Sequence, residues 1–74
     1  PDPEEVAGRT ETARLVRKAL RRLPQIYQQI LQMRHFEQLE VSEIALRLHK
    51  PEGTIKSWLF RARTKLRQEL QSLA

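Results

Sequence analysis

A segment in the second half of the chain carries side chains suited to binding a polyanion. At about 100° per residue, a helix would place Ser57, Phe60 and Arg61 on the side opposite Ile55. Hydroxyl groups and guanidinium groups hydrogen-bond base edges, and an aromatic ring contacts thymine methyl groups. Cations at the margins, such as Lys56, neutralise phosphates. The segment fits insertion into the major groove of duplex DNA, and taken alone it fits an ordinary solvated helix face equally well.

The distribution of charge also favours a polyanionic partner. The 74 residues include 14 Lys and Arg against 9 Asp and Glu, a net charge of +5. Residues 14–22 hold five basic side chains and no acid, and residues 47–67 hold seven against one acid. The middle of the chain is acidic, so the positive charge forms two blocks. For the first block a solvated surface ranks ahead of contact with an acidic protein surface, and DNA contact ranks third.

Several classes of function are excluded or disfavoured by composition. No cysteine is present, which excludes disulfides, thiolate zinc sites and a cysteine nucleophile. With two histidines, no carboxylate pair and no Ser-His-Asp set, we predict no catalytic residue, no metal site, no cofactor and no enzyme activity. No apolar run approaches the roughly 18 residues of a membrane span, so no membrane insertion is expected. The chain begins Pro-Asp-Pro without a methionine, and we expect it to be part of a longer protein.

Four segments repeat apolar residues at helical spacing. The first runs to about Arg22 after a start signal at residues 2–5, and the second runs from Pro24 to near Gln38. A short third segment ends at a Pro–Gly break, and the fourth runs from residues 52–54 to about Leu70. The residues expected to face a common core are Leu15, Val16, Ala19, Leu20 and Leu23, then Ile26, Ile30, Met33 and either Phe36 or Glu37, with Tyr27 and Leu31 beside them, then Val41, Ile44, Ala45 and Leu48, and finally Ile55, Leu59, Ala62, Leu66 and Leu70.

These segments predict an all-α fold, a small four-helix domain. The third and fourth helices, joined by about four residues, have the dimensions of a helix-turn-helix. Residues 1–8 are predicted to be a linker or a frayed helix start, and residues 9–74 the DNA-binding domain.

An ordered set of short motifs resembles one known family. Leu23-Pro24 opens the second helix, Met33-Arg34-His35-Phe36 closes it, and Glu43-Ile44-Ala45 lies on the third. Gly53-Thr54-Ile55-Lys56-Ser57 and Arg61-Ala62-Arg63 follow on the fourth. Over about residues 10–70 the chain resembles region four, the C-terminal domain of bacterial RNA polymerase sigma factors, in particular the extracytoplasmic-function (ECF) group.

The resemblance implies a function for individual residues. Arg61 would pair with guanine, Phe60 would touch thymine methyl groups, and Lys56 and Ser57 would take a base edge or a phosphate of the minus thirty-five promoter element. Thr54 would bond a phosphate at the positive end of the helix. The complete set of predicted DNA-binding residues is Arg34, Thr54, Lys56, Ser57, Phe60, Arg61 and Lys65.

The resemblance also implies partners and a location. The partners are double-stranded promoter DNA, core RNA polymerase through the flap of its β subunit, and often an anti-sigma factor. The location is the bacterial cytoplasm.

The chain departs from the family pattern at four positions. His49 replaces a glycine of the turn, and Glu40 replaces a capping serine, with Ser42 as a shifted cap. Gln28 stands where an arginine is usual. Trp58 replaces an arginine that touches DNA in some members, and we predict that it packs against the second or third helix instead.

Two other functions remain open from the sequence. The DNA-binding domain of a LuxR-type response regulator shares the Glu-Ile-Ala and Gly-Thr-Val-Lys patterns and the four-helix plan, but the segment from Trp58 to Arg63 fits the sigma group better. A protein-interaction module without specific DNA binding would use its positive charge to bind acidic partners.

Overall fold

The computed structural model describes residues 11–73, which form four α-helices, a π-helical turn and no strand. The helices are α1 (Glu11–Arg21), α2 (Gln25–Leu31), α3 (Val41–Leu48) and α4 (Glu52–Leu73), with the π turn (Gln32–Phe36) directly after α2. The predicted all-α, four-helix class is confirmed, and α3 and α4 form the helix-turn-helix. The helix-start signal at residues 2–5 and the predicted linker 1–8 lie outside the described residues.

The long helix α4 is the element on which the other three pack. Its contacts with α1, α2 and α3 bring one face of each helix into a common core. Ile30, Ile44 and Ile55, from three different helices, are fully buried. The other core residues are Ala19, Leu23, Leu31, Met33, Ala45, Leu59 and Ala62. The apolar period predicted for α4 is therefore confirmed, and it fixes which face of this helix points outward.

The junction between α1 and α2 is held by backbone and side-chain hydrogen bonds. Pro24 is extended, with φ −52° and ψ 146°, and its carbonyl accepts from the N–H groups of Tyr27 and Gln28 at 3.0 and 3.1 Å. The side-chain Nε2 of Gln28 donates to the carbonyl of Leu23 at 2.9 Å. Gln28, which departs from the family pattern, thus binds the end of α1 to the start of α2.

The end of the second helix differs from the prediction. Regular α-helix stops at Leu31, and the π turn follows, closed by a bond from the Glu37 N–H to the Gln32 carbonyl at 3.0 Å. Gln38 then adopts a left-handed conformation with φ 59°, which ends the helical path. The extra residue in this turn rotates later side chains away from the core. Phe36 is consequently 72% exposed and Glu37 is exposed, so the prediction that one of them continues the apolar stripe is wrong.

The start of α3 lacks a side-chain cap. Glu40 occupies the N-cap position in an extended conformation, and its side chain makes no capping bond. Ser42 lies inside the first turn of α3, so its predicted use as a shifted cap is wrong. In place of a side-chain cap, the Glu40 carbonyl accepts from the N–H groups of Glu43 and Ile44, both at 3.0 Å.

The turn between α3 and α4 depends on one left-handed residue. His49 has φ 56° and ψ 45°, the conformation that usually favours glycine. The Lys50 N–H bonds to the Ala45 carbonyl at 3.0 Å and the His49 N–H to the Leu46 carbonyl at 3.3 Å, the pattern of a Schellman motif. The turn that sets the angle between the two helices therefore carries backbone strain.

Replacing His49 with glycine should stabilise the domain. The left-handed conformation costs an L-residue about 1–2 kcal/mol, and the greater freedom of glycine in the unfolded chain offsets about 0.5–1 kcal/mol of the gain. We expect a net stabilisation of about 0.5–1 kcal/mol, a rise in Tm of about 2–8 °C in a domain of this size. Thermal unfolding followed by circular dichroism measures it.

The neighbouring residue supplies a matched control. Lys50 is exposed and does not have a positive φ, so Lys50→Gly should leave Tm unchanged or lower it slightly. An equal rise in Tm for both variants would show that strain at His49 is not the cause.

Candidate nucleic-acid interface

The outward face of α4 presents the predicted base-contacting residues together. Ile55, Leu59 and Ala62 are at most 3% exposed, because they face the core. Ser57 and Arg61 are exposed on the other side, and the helical period places both close to Phe60. The remaining predicted residue on this half of the helix, Lys56, is exposed as well. The structure therefore brings these four predicted residues to one surface, which we call the α4 front (Lys56, Ser57, Phe60 and Arg61).

Phe60 is the most informative residue of the α4 front. Its side chain is 71% exposed although it lies one residue from the buried Leu59. Next to it, the Thr64 hydroxyl donates to the Phe60 carbonyl at 2.9 Å, so this hydroxyl is occupied within the helix. Phe36 and Leu46 are exposed to a similar extent, so what distinguishes Phe60 is its place between Ser57 and Arg61.

The first turn of α4 is open to an approaching anion. Thr54 is half-buried there, and Gly53 and Glu52 are exposed. A Cβ atom at Gly53 would meet nothing within 4 Å, so packing inside the domain does not require glycine. Because the first N–H groups of a helix lack intrahelical partners, this end is compatible with the phosphate contact predicted for Thr54.

Lys65 lies at the second edge of the α4 front, beside a residue that the sequence analysis missed. A shallow depression on this side is lined by Tyr27, Phe60, Arg61, Thr64, Lys65 and Gln68. Tyr27 is half-buried and comes from α2, so it reaches the interface only through the packing of α2 on α4. Its phenol group extends the candidate surface beyond α4. The sequence offered only an apolar position in a helical period as a signal, which indicated a core residue.

Arg34 has an intramolecular partner. Its Nη1 donates to the Leu39 carbonyl at 3.2 Å, and the side chain is half-buried. The bond fastens the loop that follows the π turn to the turn itself. Arg34 is therefore not part of the α4 front, and its predicted contact with the DNA backbone would have to be made alongside this bond.

The π turn contacts α4 through His35 and Arg63, a pair of residues that the sequence analysis also missed. Nη2 of Arg63 lies 3.4 Å from Nε2 of His35, 28 residues earlier in the chain. Partial burial lowers the pKa of His35 below its ordinary value of 6.5, and the positive charges of Arg63 and Arg34 lower it further. His35 is thus mainly neutral near pH 7, and the contact joins two segments that the sequence separates.

Three acidic side chains outside the α4 front, Glu37, Glu43 and Glu69, are paired with cations. Arg47 on α3 lies 3.4 Å from Glu43 and 3.7 Å from Glu37, and Arg22 lies 3.5 Å from Glu69 near the other end of α4. Between residues 11 and 73, no ion pair involves a cation of α4. Exposed pairs of this kind stabilise the fold little. Their consequence here is electrostatic, because none of these three acids pairs with a cation of the α4 front; the acid of α4 nearest to it in sequence is Glu52, one turn before Lys56.

Trp58 packs inward, as predicted. It is half-buried and packs against the core cluster, as Leu48 and Leu66 do. The arginine that some family members direct toward DNA is therefore replaced here by a packing residue.

The described part of the chain shows neither a metal-binding cluster nor a membrane-spanning helix. Residues 11–73 contain no group of three or more His, Cys, Asp or Glu side chains placed to hold a metal ion. Within the same range, no helix is both long enough and apolar enough to cross a bilayer.

Comparisons with known proteins agree with this geometry. The family model described as sigma-70, region 4 matches residues 13–66. The RNA polymerase sigma-H factor of Pseudomonas aeruginosa is 35% identical over 71 residues, which cover 96% of this chain and 37% of that protein. The ECF RNA polymerase sigma factor SigW of Bacillus subtilis is 28% identical over 71 residues, covering 96% of this chain and 38% of that protein. No solved structure gives a significant match.

The match with the family model includes every element of the candidate interface. It runs from α1 to Leu66, and so includes the helix-turn-helix, the α4 front and the pair formed by His35 and Arg63. The chain spans less than two fifths of the length of both relatives. The chain belongs to the sigma-70 region 4 family.

Proposed function

We infer that this chain is the promoter-reading domain of a sigma factor, and that it recognises the minus thirty-five element when RNA polymerase initiates transcription. The observation that supports this most strongly is the two-sidedness of α4. One side is buried in the core, and the other exposes Phe60 at 71% between Ser57 and Arg61. A major groove offers this surface thymine methyl groups for the ring and base-edge acceptors for the guanidinium.

Each predicted residue has a distinct role in the proposed complex. Arg61 donates to O6 and N7 of a guanine, and Phe60 packs on thymine methyl groups. Lys56 and Ser57 take a base edge or a phosphate, and Thr54 takes a phosphate at the start of α4. The backbone contacts at the margins come from Lys65 and Arg34.

The domain acts by binding and carries out no reaction of its own. Phosphate contacts supply most of the affinity and base contacts supply the discrimination. Because few side chains reach base edges, the domain alone binds weakly, and it depends on the rest of the sigma factor and on polymerase for tight binding.

The partners follow from family membership. The domain binds the flap of the β subunit of core RNA polymerase, and an anti-sigma factor covers its surfaces in the inhibited state. The relatives from Pseudomonas aeruginosa and Bacillus subtilis are both named as RNA polymerase sigma factors, which supports the first partner. The half-buried Leu15 and Val16 on α1 offer apolar surface for such a partner. The proposed location is the bacterial cytoplasm.

Selection from random DNA tests the proposal without knowledge of the promoter. The 74-residue chain is mixed with duplexes of random sequence, and bound duplexes are recovered over several rounds. We expect enrichment of one short motif with a fixed guanine. The enriched duplex should bind more tightly than the starting pool, and log K should fall against log salt with a slope of about −0.9 per neutralised phosphate.

A charge-matched variant controls for nonspecific attraction. Arg21 is exposed at the end of α1, next to Arg22, which pairs with Glu69 far along α4 from Ser57. Arg21→Ala should therefore enrich the same motif as the unchanged chain. Binding of the pool without enrichment of any motif would contradict promoter reading and leave only a polyanion-binding domain.

A further inference from the structure

The contact between Arg63 and His35 requires a neutral imidazole. A guanidinium carries only donors, so Nε2 of His35 must accept the bond from Nη2 of Arg63 at 3.4 Å. The ring proton then resides on Nδ1. In this state His35 orients Arg63 without adding a positive charge of its own.

Among residues 11–73, no acidic side chain forms an ion pair with Arg63 or Arg34. Arg34 on the π turn and Arg63 on α4 are the charged groups that act on His35. The helix α2 has no charged side chain, and on α3 the two charged groups, Glu43 and Arg47, pair with each other. The remaining nearby acid, Glu37, also pairs with Arg47. An anion placed beside Arg63 would therefore meet three groups able to carry positive charge and no free carboxylate among these neighbours.

The position of Arg63 fits a contact with the backbone of DNA bound to the α4 front. Arg63 is exposed and follows Lys56 by seven residues, two helical turns, so the two cations share one flank of α4 about 10 Å apart. Phe60, one turn before Arg63, lies between this flank and the middle of the front. A cation at the margin of a groove-binding helix is in the place where phosphates are contacted.

The geometry points to a phosphate-binding site made by Arg63 and His35: neutral His35 holds the guanidinium in the free chain, and when the phosphate arrives Nε2 takes up a proton and donates to the phosphate instead of accepting from Arg63, which binds the same phosphate. This rests on the proposed function, because the phosphate belongs to the duplex bound by the α4 front. His35 belongs to the π turn, and its ring contacts Arg63 of α4 from there, so the site depends on this turn.

Proton uptake makes the affinity for DNA depend on pH in a predictable direction. In the free chain the pKa of His35 is below 6.5, and a nearby phosphate raises it. The complex then binds more protons than the free chain, so affinity rises as pH falls through the pKa of the complex and levels off below the pKa of the free chain. We expect binding at pH 5.5 to exceed binding at pH 7.5 by up to about tenfold, the factor that corresponds to one pH unit between the two pKa values.

The first experiment measures Arg63→Ala on two duplexes, one enriched by selection and one of random sequence. A phosphate contact does not depend on the base sequence, so the affinities for both duplexes should fall by the same factor, about fivefold. The slope of log K against log salt should become less steep by about 0.9, the contribution of one phosphate. Arg21→Ala removes the same charge from α1 and should change neither slope nor affinity.

The second experiment uses the two histidines of the chain as a matched pair. His35→Gln keeps an acceptor for Arg63 but does not titrate, so it should bind normally at pH 7.5 and lose the gain at pH 5.5. His35→Ala should bind more weakly at both pH values, because Arg63 loses its support. His49→Gln should keep the gain at pH 5.5, and circular dichroism at that pH verifies that each variant is folded.

The outcomes separate this inference from the proposed function. The phosphate site would be overturned if Arg63→Ala kept the salt slope of the unchanged chain, or if His35→Gln still bound more tightly at pH 5.5 than at pH 7.5. In either case, binding of the enriched duplex by the unchanged chain would still support promoter reading. Loss of the pH gain in His49→Gln would also overturn the phosphate site. A chain that enriches no motif would contradict the proposed function itself.

Discussion

Replacing Ile44 with alanine is expected to lower the free energy of unfolding by about 2–5 kcal/mol. Ile44 is fully buried on α3, and its side chain belongs to the cluster that includes Ile30 and Ile55 from two other helices. The smaller side chain would leave a cavity where α3 rests on α4. Because a domain this small has only a few kcal/mol of stability, we expect it to be largely unfolded near 37 °C. Urea unfolding at 25 °C, followed by circular dichroism, measures the change.

The same helix provides the control. Leu46 lies two residues further on and is 76% exposed, so Leu46→Ala should change the free energy of unfolding by no more than about 0.5 kcal/mol. Both substitutions remove apolar side-chain atoms from α3, and only burial distinguishes them. A comparable loss of stability in both variants would mean that burial of Ile44 in the core does not set the effect, and helix propensity could not explain such a loss because alanine is the strongest helix former.

The faces of α4 were predictable because they follow from a local period. Ile55, Leu59 and Ala62 repeat at helical spacing, and the same arithmetic placed Ser57, Phe60 and Arg61 on the opposite side. The inward packing of Trp58 was predictable for the same reason, since it lies at the edge of this stripe. A long helix with an unbroken period leaves little freedom in which face it buries.

The π turn after α2 was not predictable in this way. Residues 32–36 contain no proline or glycine, so nothing in the local sequence signals a change of helical register. The Arg34 side chain bonds to the Leu39 carbonyl five residues later, a contact that helical periodicity does not specify, and this bond accompanies the register shift. The exposure of Phe36 is its direct consequence, and a regular α-helix was the wrong assumption there.

The candidate site was predictable where it lies on one helix and not where two elements meet. The helical period of α4 was enough to place Lys56 and Arg61 on its outer face. The contact between His35 and Arg63, in contrast, joins residues 28 apart in sequence. Tyr27 reaches Phe60 through the packing of α2 on α4. Relations of this kind depend on helix crossing, which no local pattern specifies.

Arg61→Ala is expected to weaken binding to the duplex enriched by selection by about 5- to 150-fold, equivalent to about 1–3 kcal/mol for a bidentate contact with guanine. The reason is that Arg61 is exposed on the α4 front beside Phe60, where the proposed function places its guanidinium at a base edge and not only at the backbone. Binding to random duplex should weaken far less. Fluorescence anisotropy with both duplexes at one salt concentration measures the two affinities.

A lysine at the same position separates base reading from charge. Arg61→Lys keeps the positive charge but cannot present two parallel donors to O6 and N7 of guanine, so binding to random duplex should be retained while discrimination falls nearly as far as in Arg61→Ala. Both variants should unfold at the temperature of the unchanged chain, because Arg61 is exposed. If Arg61→Ala weakened both duplexes equally and Arg61→Lys restored both, Arg61 would be a phosphate contact. The reading of guanine would then have to come from Lys56 or Ser57 on the same face.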